Sequence, residues 1–426
     1  PRSTLFPYTT LFRSPSTSTV PPALIIFSVS LQGALNSMQT AYPHSHPALS
    51  NHARICPRAT LTMTRRTLLT SALSSASALA PAAPRLAAAQ SGPMPMGFNT
   101  YCLPALRWTD LQLLDYAAQQ KHDAIFLQDS LDPQTKDPAH WADVRRWAAE
   151  RRLHLETGGG GIMPRTPDAF QASVDNIVYN LRRAKAMGSP IIRCVLAGDR
   201  ASLPPGPAEQ HMQTAIRLLK AVRSQVVDAG LKIAIEIHKD FQAWEHRTII
   251  EEAGKDFVGT YMDTGNPCFV LEHPMTTLET MAPYILTLHL RDSVLYETPR
   301  GIAVQWVPLG EGVVDFKEIM AAARRLCPNV HVYIKPITGR PPQILPYLEE
   351  SYWQSYPKAR ASELARFLSL VRKGQPYERP MVIEDLAGRA LPDHFRAAVQ
   401  YQQREHVERS VAYARNELGL GVRWRA

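Results

Sequence analysis

Four short runs hold the side chains best placed to do chemistry: Ile235–Asp240 (IEIHKD), Tyr261–Asn266 (YMDTGN), Leu288–Asp292 (LHLRD) and Tyr333–Gly339 (YIKPITG). The first three pass from apolar residues to a group able to ligate a divalent cation: Glu236, Asp263 and His289. The fourth puts Lys335 at the corresponding point. Glu236 and Asp263 stand 27 residues apart, and Asp263 and His289 stand 26 apart. Each alone would as readily cap a strand or join an ion pair, but a repeated spacing argues for a shared position. Two carboxylates and an imidazole suit Mn²⁺, Co²⁺, Mg²⁺ or Zn²⁺. His238 lies two residues beyond Glu236, on the same strand face, where an imidazole can orient substrate or carry a proton. Arg291 can bind an anionic oxygen or pair with Asp240, and the ion pair is the expectation. Glu156, expected to end the third strand before the glycine run, can serve as a substitute acid or base or cap the loop, and the cap is the expectation. Trp306 and Trp108 can stack on a sugar face or pack in the core. Arg300 and Arg340 can meet a phosphate.

These groups need a frame that brings distant segments together. Eight strand candidates alternate with amphipathic stretches: 96–103, 124–128, 153–157, 191–196, 232–238, 259–263, 285–290 and 331–337. Several are short, nearly continuous apolar runs, as expected of parallel strands covered on both faces. Between them lie helical segments such as 108–120, 138–152, 169–187, 207–229 and 316–325, with Gly188 and Gly230 where helices should stop. Eight such alternations in about 300 residues predict a (β/α)8 TIM barrel. The competing arrangement is an open doubly wound sheet, but no G-x-G-x-x-G follows an early strand. In a barrel, strands five, six and seven would deliver Glu236, Asp263 and His289 to one mouth. The run Gly158–Gly161 gives the loop there room for a ligand. Residues 340–380 read as an elaborated loop after the last strand, and a final helix covers 392–418.

The chain carries 47 Lys and Arg against 38 Asp and Glu, a net +9. Residues 1–89 hold seven Arg and no acid, so from Gln90 onward 40 bases face 38 acids, a net of +2. The basic excess therefore belongs to the leader, and a nucleic-acid surface is not expected. Within the leader, 63–89 reads as a secretory signal: Arg65–Arg66 after Met63, an apolar stretch, then Ala87–Ala89 as a cleavage signature. The TRRTLL context resembles a twin-arginine export signal, which predicts a periplasmic or secreted protein. Residues 1–62 have no core pattern and are expected to be a disordered, non-native leader. That leaves 90–426 as the barrel domain, with no stable membrane span. Cys102, Cys194, Cys268 and Cys327 show no disulfide framework and are expected as buried thiols.

The runs IEIHKDFQAWE, VGTYMDTGNP, MAPYILTLHLRDS, QWVPLGEGVVDF and ITGRPPQILPYLE, in that order, resemble the sugar phosphate isomerase/epimerase family of xylose-isomerase-like barrels. The resemblance spans 97–349. It implies one divalent metal held by Glu236, Asp263 and His289, with Lys335 where a second catalytic Glu would stand. It also implies a proton taken from the carbon next to a carbonyl, a small-molecule carbohydrate as partner, and a homo-oligomer. Glu236, Lys335 and Glu156 are then the catalytic candidates. His238, Asn266, Arg291, Arg300 and Trp306 are the substrate-binding candidates, with Asn266, at a place often held by His, bonding sugar hydroxyls. Lys335 lowers the negative charge of such a site, so weak metal binding is expected. Sugar dehydratase or lyase chemistry fits the same geometry, as does a metal-free carbohydrate-binding barrel. A phosphodiesterase like the endonuclease IV barrels would need a richer His/Glu cluster. No glycine-rich phosphate cradle is evident, which favours an unphosphorylated sugar or keto-sugar.

Overall fold

The computed structural model of the chain describes residues 92–128, 132–384 and 392–426. The contacts divide the chain after Pro81, and the described residues belong to the Ala82–Ala426 unit. The segments expected as a leader, 1–62, and as an export signal, 63–89, lie outside the described residues. Eight parallel strands close into a barrel: β1 (Met96–Asn99), β2 (Ala124–Leu127), β3 (His154–Gly161), β4 (Ile191–Val195), β5 (Lys232–Glu236), β6 (Val258–Asp263), β7 (Ile285–Leu290) and β10 (Val332–Ile334). Each falls on one of the eight predicted runs, and β10 closes the ring by pairing with both β1 and β7. Helices stop at Gly188 and Gly230, whose φ values of 78° and 70° are the left-handed turn that glycine adopts without strain. The predicted helix 207–229 is two, Ala208–Ala221 and Arg223–Ala229.

The two-residue period of the strands sorts the side chains. Ile233 and Ile235 point out to the main apolar core beneath the helices. Ala124, Phe126, Ala234, Tyr261 and Tyr333 fill the barrel interior. Continuing that inward face toward the strand ends gives Arg193, Glu236, Asp263 and Lys335. The barrel thus changes from an apolar plug to a charged layer within one step of the pleat.

The sequence did not predict a second sheet. Directly after β7 the chain makes an antiparallel hairpin, β8 (Asp292–Thr298) and β9 (Gly301–Val307), and β11 (Gln343–Leu345) joins its edge. A second apolar cluster with Leu295, Ile302, Val304, Leu345, Phe367 and Leu370 packs this sheet against helix Ala361–Val371. Asp292 locks the hairpin to the following loop. One of its oxygens accepts the N–H groups of Ser293 and Val314 at 2.9 and 3.2 Å, and the other accepts those of Gly310 and Gly312, both at 2.9 Å. Asp292→Ala would take the acceptor from four N–H groups, two of them buried. It is expected to cost about 3 kcal/mol of stability, read as a lower urea midpoint; an unchanged midpoint would mean the loop is held by other contacts. The four described cysteines are free and buried, as predicted. No helix among the described residues is long and apolar enough to cross a membrane.

Candidate active site

The charged layer opens into a cavity of about 340 Å³ at the C-terminal end of the strands. Among its lining residues are Tyr101, Gln128, Gly160, Gly161, Arg193, Glu236, His238, Lys239, Arg291, Trp306, Lys335 and Arg340. At its floor the Lys335 ammonium donates to Glu236 Oε1 at 2.8 Å and to Asp263 Oδ2 at 3.2 Å. It also lies 4.8 Å from the centre of the Tyr261 ring. Arg193 from β4 pairs with the other oxygen of Glu236. Arg291 contacts Asp263 Oδ2 at 3.2 Å and donates to the Asn266 side-chain oxygen Oδ1 at 3.0 Å. Asn266 in turn donates to Glu236 Oε1 at 3.2 Å and to the Ile237 carbonyl at 2.9 Å. Asp263 Oδ1 accepts the N–H groups of Gly265 and Asn266 at 2.9 and 3.0 Å. Two glycines make room for the arginines. A Cβ on Gly158 would come within 2.8 Å of the Arg193 Cβ, and one on Gly265 within 2.9 Å of the Arg291 side chain.

Two buried carboxylates are thus shared by three cations, a formal sum of +1. Burial pushes the Glu236 carboxyl up, but Arg193 and Lys335 outweigh it and hold it well below the usual carboxylate range. Burial pulls Lys335 down, and Glu236 opposes that pull. The His238 imidazole is lowered by burial and so stays neutral at pH 7, with its Nδ1 unpartnered.

A divalent metal does not fit this arrangement. The two carboxylate oxygens that would face it already hold the Lys335 ammonium, and the surrounding charge is positive. His289 does not join them. Its ring is stacked between Tyr261 (3.6 Å) and Tyr333 (4.7 Å), against the edge of Phe126, and its Nε2 lies 3.2 Å from the Thr287 hydroxyl. Its Nδ1 is buried without a partner, and burial holds the ring neutral. Among the described residues, two other groups bring three possible ligand atoms within 4.8 Å of one another: His154–Glu156–His331 and Asp110–Asp132–His140. In the first, the two imidazoles stack face to face at 3.8 Å, so their in-plane lone pairs cannot meet at one ion without rotation.

Several other expectations are corrected. Glu156 does not end its strand. β3 runs on to Gly161, and Glu156 sits inside the barrel, 3.2 Å from His154 Nε2 and outside the mouth. Arg291 pairs with Asp263, while Asp240 accepts the N–H groups of Ala197 and Phe241. Asn266 is fully buried and spent on protein partners, so it does not present itself to a sugar. Arg300 is exposed at the β8–β9 turn, away from the cavity. Trp108 packs on Tyr116 at 5.2 Å, whereas Trp306 does reach the cavity. Arg193 and Lys239 were not singled out. Arg193 had a signal: one arginine inside the apolar run Ile191–Val195, where a buried charge demands a partner.

The chain belongs to the xylose isomerase-like TIM barrel family, whose model matches residues 114–332. Among curated proteins it is similar to the uncharacterized protein YihM of Escherichia coli, 30% identical over 99 residues, which are 23% of this chain and 30% of that protein. It is also similar to 3-oxo-isoapionate decarboxylase of Pectobacterium atrosepticum, 21% identical over 214 residues, 50% of this chain and 72% of that protein. A solved D-psicose 3-epimerase from Clostridium cellulolyticum, crystallised with D-tagatose, aligns at 16% identity and a TM-score of 0.47, covering 66% of this chain and 99% of the other. The IOLI protein, solved with a bound zinc atom, aligns at 15% identity and 0.47 with the same coverage.

Proposed function

We propose that this protein is an exported isomerase, epimerase or lyase that removes a proton next to a carbonyl of a sugar, and that it does so without a bound metal. The observation that carries this reading is the Lys335 ammonium held between Glu236 and Asp263 at the floor of the mouth. There its charge can face an oxyanion forming on the substrate. His238 is the base: neutral, half-buried, in the same cavity, and with a free ring nitrogen. It takes the proton from the carbon, the enediolate oxygen receives a hydrogen bond from Lys335, and the His238 imidazolium returns the proton on the same face to the neighbouring carbon, which isomerises the sugar, while a proton from water on the opposite face would epimerise it. Glu236, tied to Arg193 and Lys335, stays ionised and serves as the seat for the lysine, not as the base. The decarboxylase relative supports keeping lyase chemistry in range, since loss of CO₂ beside a ketone leaves the same enediolate.

The test is proton–deuterium exchange, followed by NMR, across a panel of ketoses and their acids in D₂O. Exchange should survive chelator and fall about 10²–10⁴-fold in His238→Asn. Loss of exchange on chelation would overturn the metal-free reading. The pH profile gives a second check. Burial lowers the His238 pKa, so the base is unprotonated through neutrality and is lost only as pH falls through that lowered value. The acid limb is therefore expected below 6.5, the ordinary imidazole value. A limb at or above 6.5 would point to another base.

A further inference from the structure

We infer that the mouth is built for an anionic substrate, a sugar acid whose carboxylate docks against Arg291 and Lys239 beside the Trp306 ring. This rests on reading the cavity as the substrate site and adds the charge of what enters it. Five cationic side chains line the cavity, Arg193, Lys239, Arg291, Lys335 and Arg340, against one lining carboxylate, Glu236. Asp263 neutralises from beneath, fully buried. The surplus is concentrated at one place. The Arg291 guanidinium lies 4.3 Å from the Trp306 ring centre, and the Lys239 ammonium lies 5.7 Å from the same centre. Two like charges thus share one aromatic ring. The Lys239 ammonium is also 5.2 Å from the Phe269 ring centre and donates to Gln343 Oε1 at 3.5 Å.

The donors there are incompletely used. Arg291 Nε and Trp306 Nε1 are buried and have no hydrogen-bond partner. Like charge gathered in a partly closed space raises the energy of the empty site. A carboxylate in the cavity relieves it, balancing Lys239 and the Arg291 guanidinium. Arg340, exposed at the rim, adds attraction at longer range. The cavity volume, near the lower end of the roughly 300–1,000 Å³ of ligand pockets, fits a short sugar acid. A carboxylate fits better than a phosphate because no α-helix N-terminus is found among the described lining residues.

The experiment is calorimetric titration of the folded barrel at low ionic strength with glycerate, D-xylonate and D-gluconate. Their uncharged counterparts glycerol, xylitol and sorbitol are run in parallel, with glycerol 3-phosphate as the alternative anion. At least one acid should bind tenfold or more tightly than its polyol, and raised salt should erode that preference. Lys239→Gln, which removes a charge outside the buried ion network, should weaken the acid five- to tenfold and the polyol by much less. Arg340→Gln, which removes the exposed charge at the rim, should weaken the acid as well. Equal binding of acids and polyols, no acid binding at all, or tightest binding by the phosphate would each overturn the proposal. Acid-selective binding without isotope exchange would leave the anion site standing and sink the catalytic reading. Exchange on neutral ketoses with no acid selectivity would do the reverse.

Discussion

Lys335→Met is expected to abolish most of the activity and to weaken the fold at once. Methionine matches the length of the stem but removes the ammonium, leaving Glu236 Oε1 with Asn266 and Asp263 Oδ2 with Arg291 as their remaining partners. Removing one partner from a buried ionic cluster costs about 3–5 kcal/mol. The retained arginines place this case at the lower end, about 3 kcal/mol. If the ammonium also faces the enediolate, the exchange rate should fall about 10²–10³-fold, the usual consequence of losing one oxyanion donor. Urea unfolding and exchange measured on the same preparation separate the two effects. A variant that is destabilised but fully active would leave Lys335 as a structural clasp and nothing more.

Lys335→Glu should turn the site from one that repels divalent cations into one that requires them. The buried sum passes from +1, with three cations on two carboxylates, to −1. Without metal the variant should be less stable than the parent, because three carboxylates then face one another. Adding Mn²⁺ or Zn²⁺ should raise its melting temperature in proportion to the logarithm of metal concentration, as binding to the folded state alone demands. The parent protein should show no such rise and should emerge from dialysis with little metal. Stoichiometric metal retained by the parent at the mouth would refute the assignment of Lys335 as the resident cation.

The barrel was legible because its strands are buried on both faces and so read as apolar runs of the right length and spacing. Ile285–Leu290 is given to the residue. The hairpin that follows was not, although TPRG at its turn is a conventional signal. Its strands are buried at successive positions over most of their length and pack on helix Ala361–Val371, so no clean alternation marks them. At the site, spacing told which strand end carries each group but not which neighbours claim it. Glu236, Asp263 and Lys335 do converge. His289 sits on the inward face too, but tyrosines at 261 and 333 close over its ring. Arg193 shows the complementary gap: a run of apolar letters invites the reader to pass over the one charged letter within it.

The hairpin carries a consequence for how such a protein changes over generations. Trp306 comes from a sheet that stands outside the closed ring of barrel strands. Its edges are held by Asp292 and by a separate patch of apolar residues. Substitutions, lengthening or exchange of that appendage can therefore retune what is admitted without redrawing the hydrogen-bonded cylinder. Grafting the hairpins of relatives onto this cylinder offers a direct route to new selectivity from an inherited reaction centre.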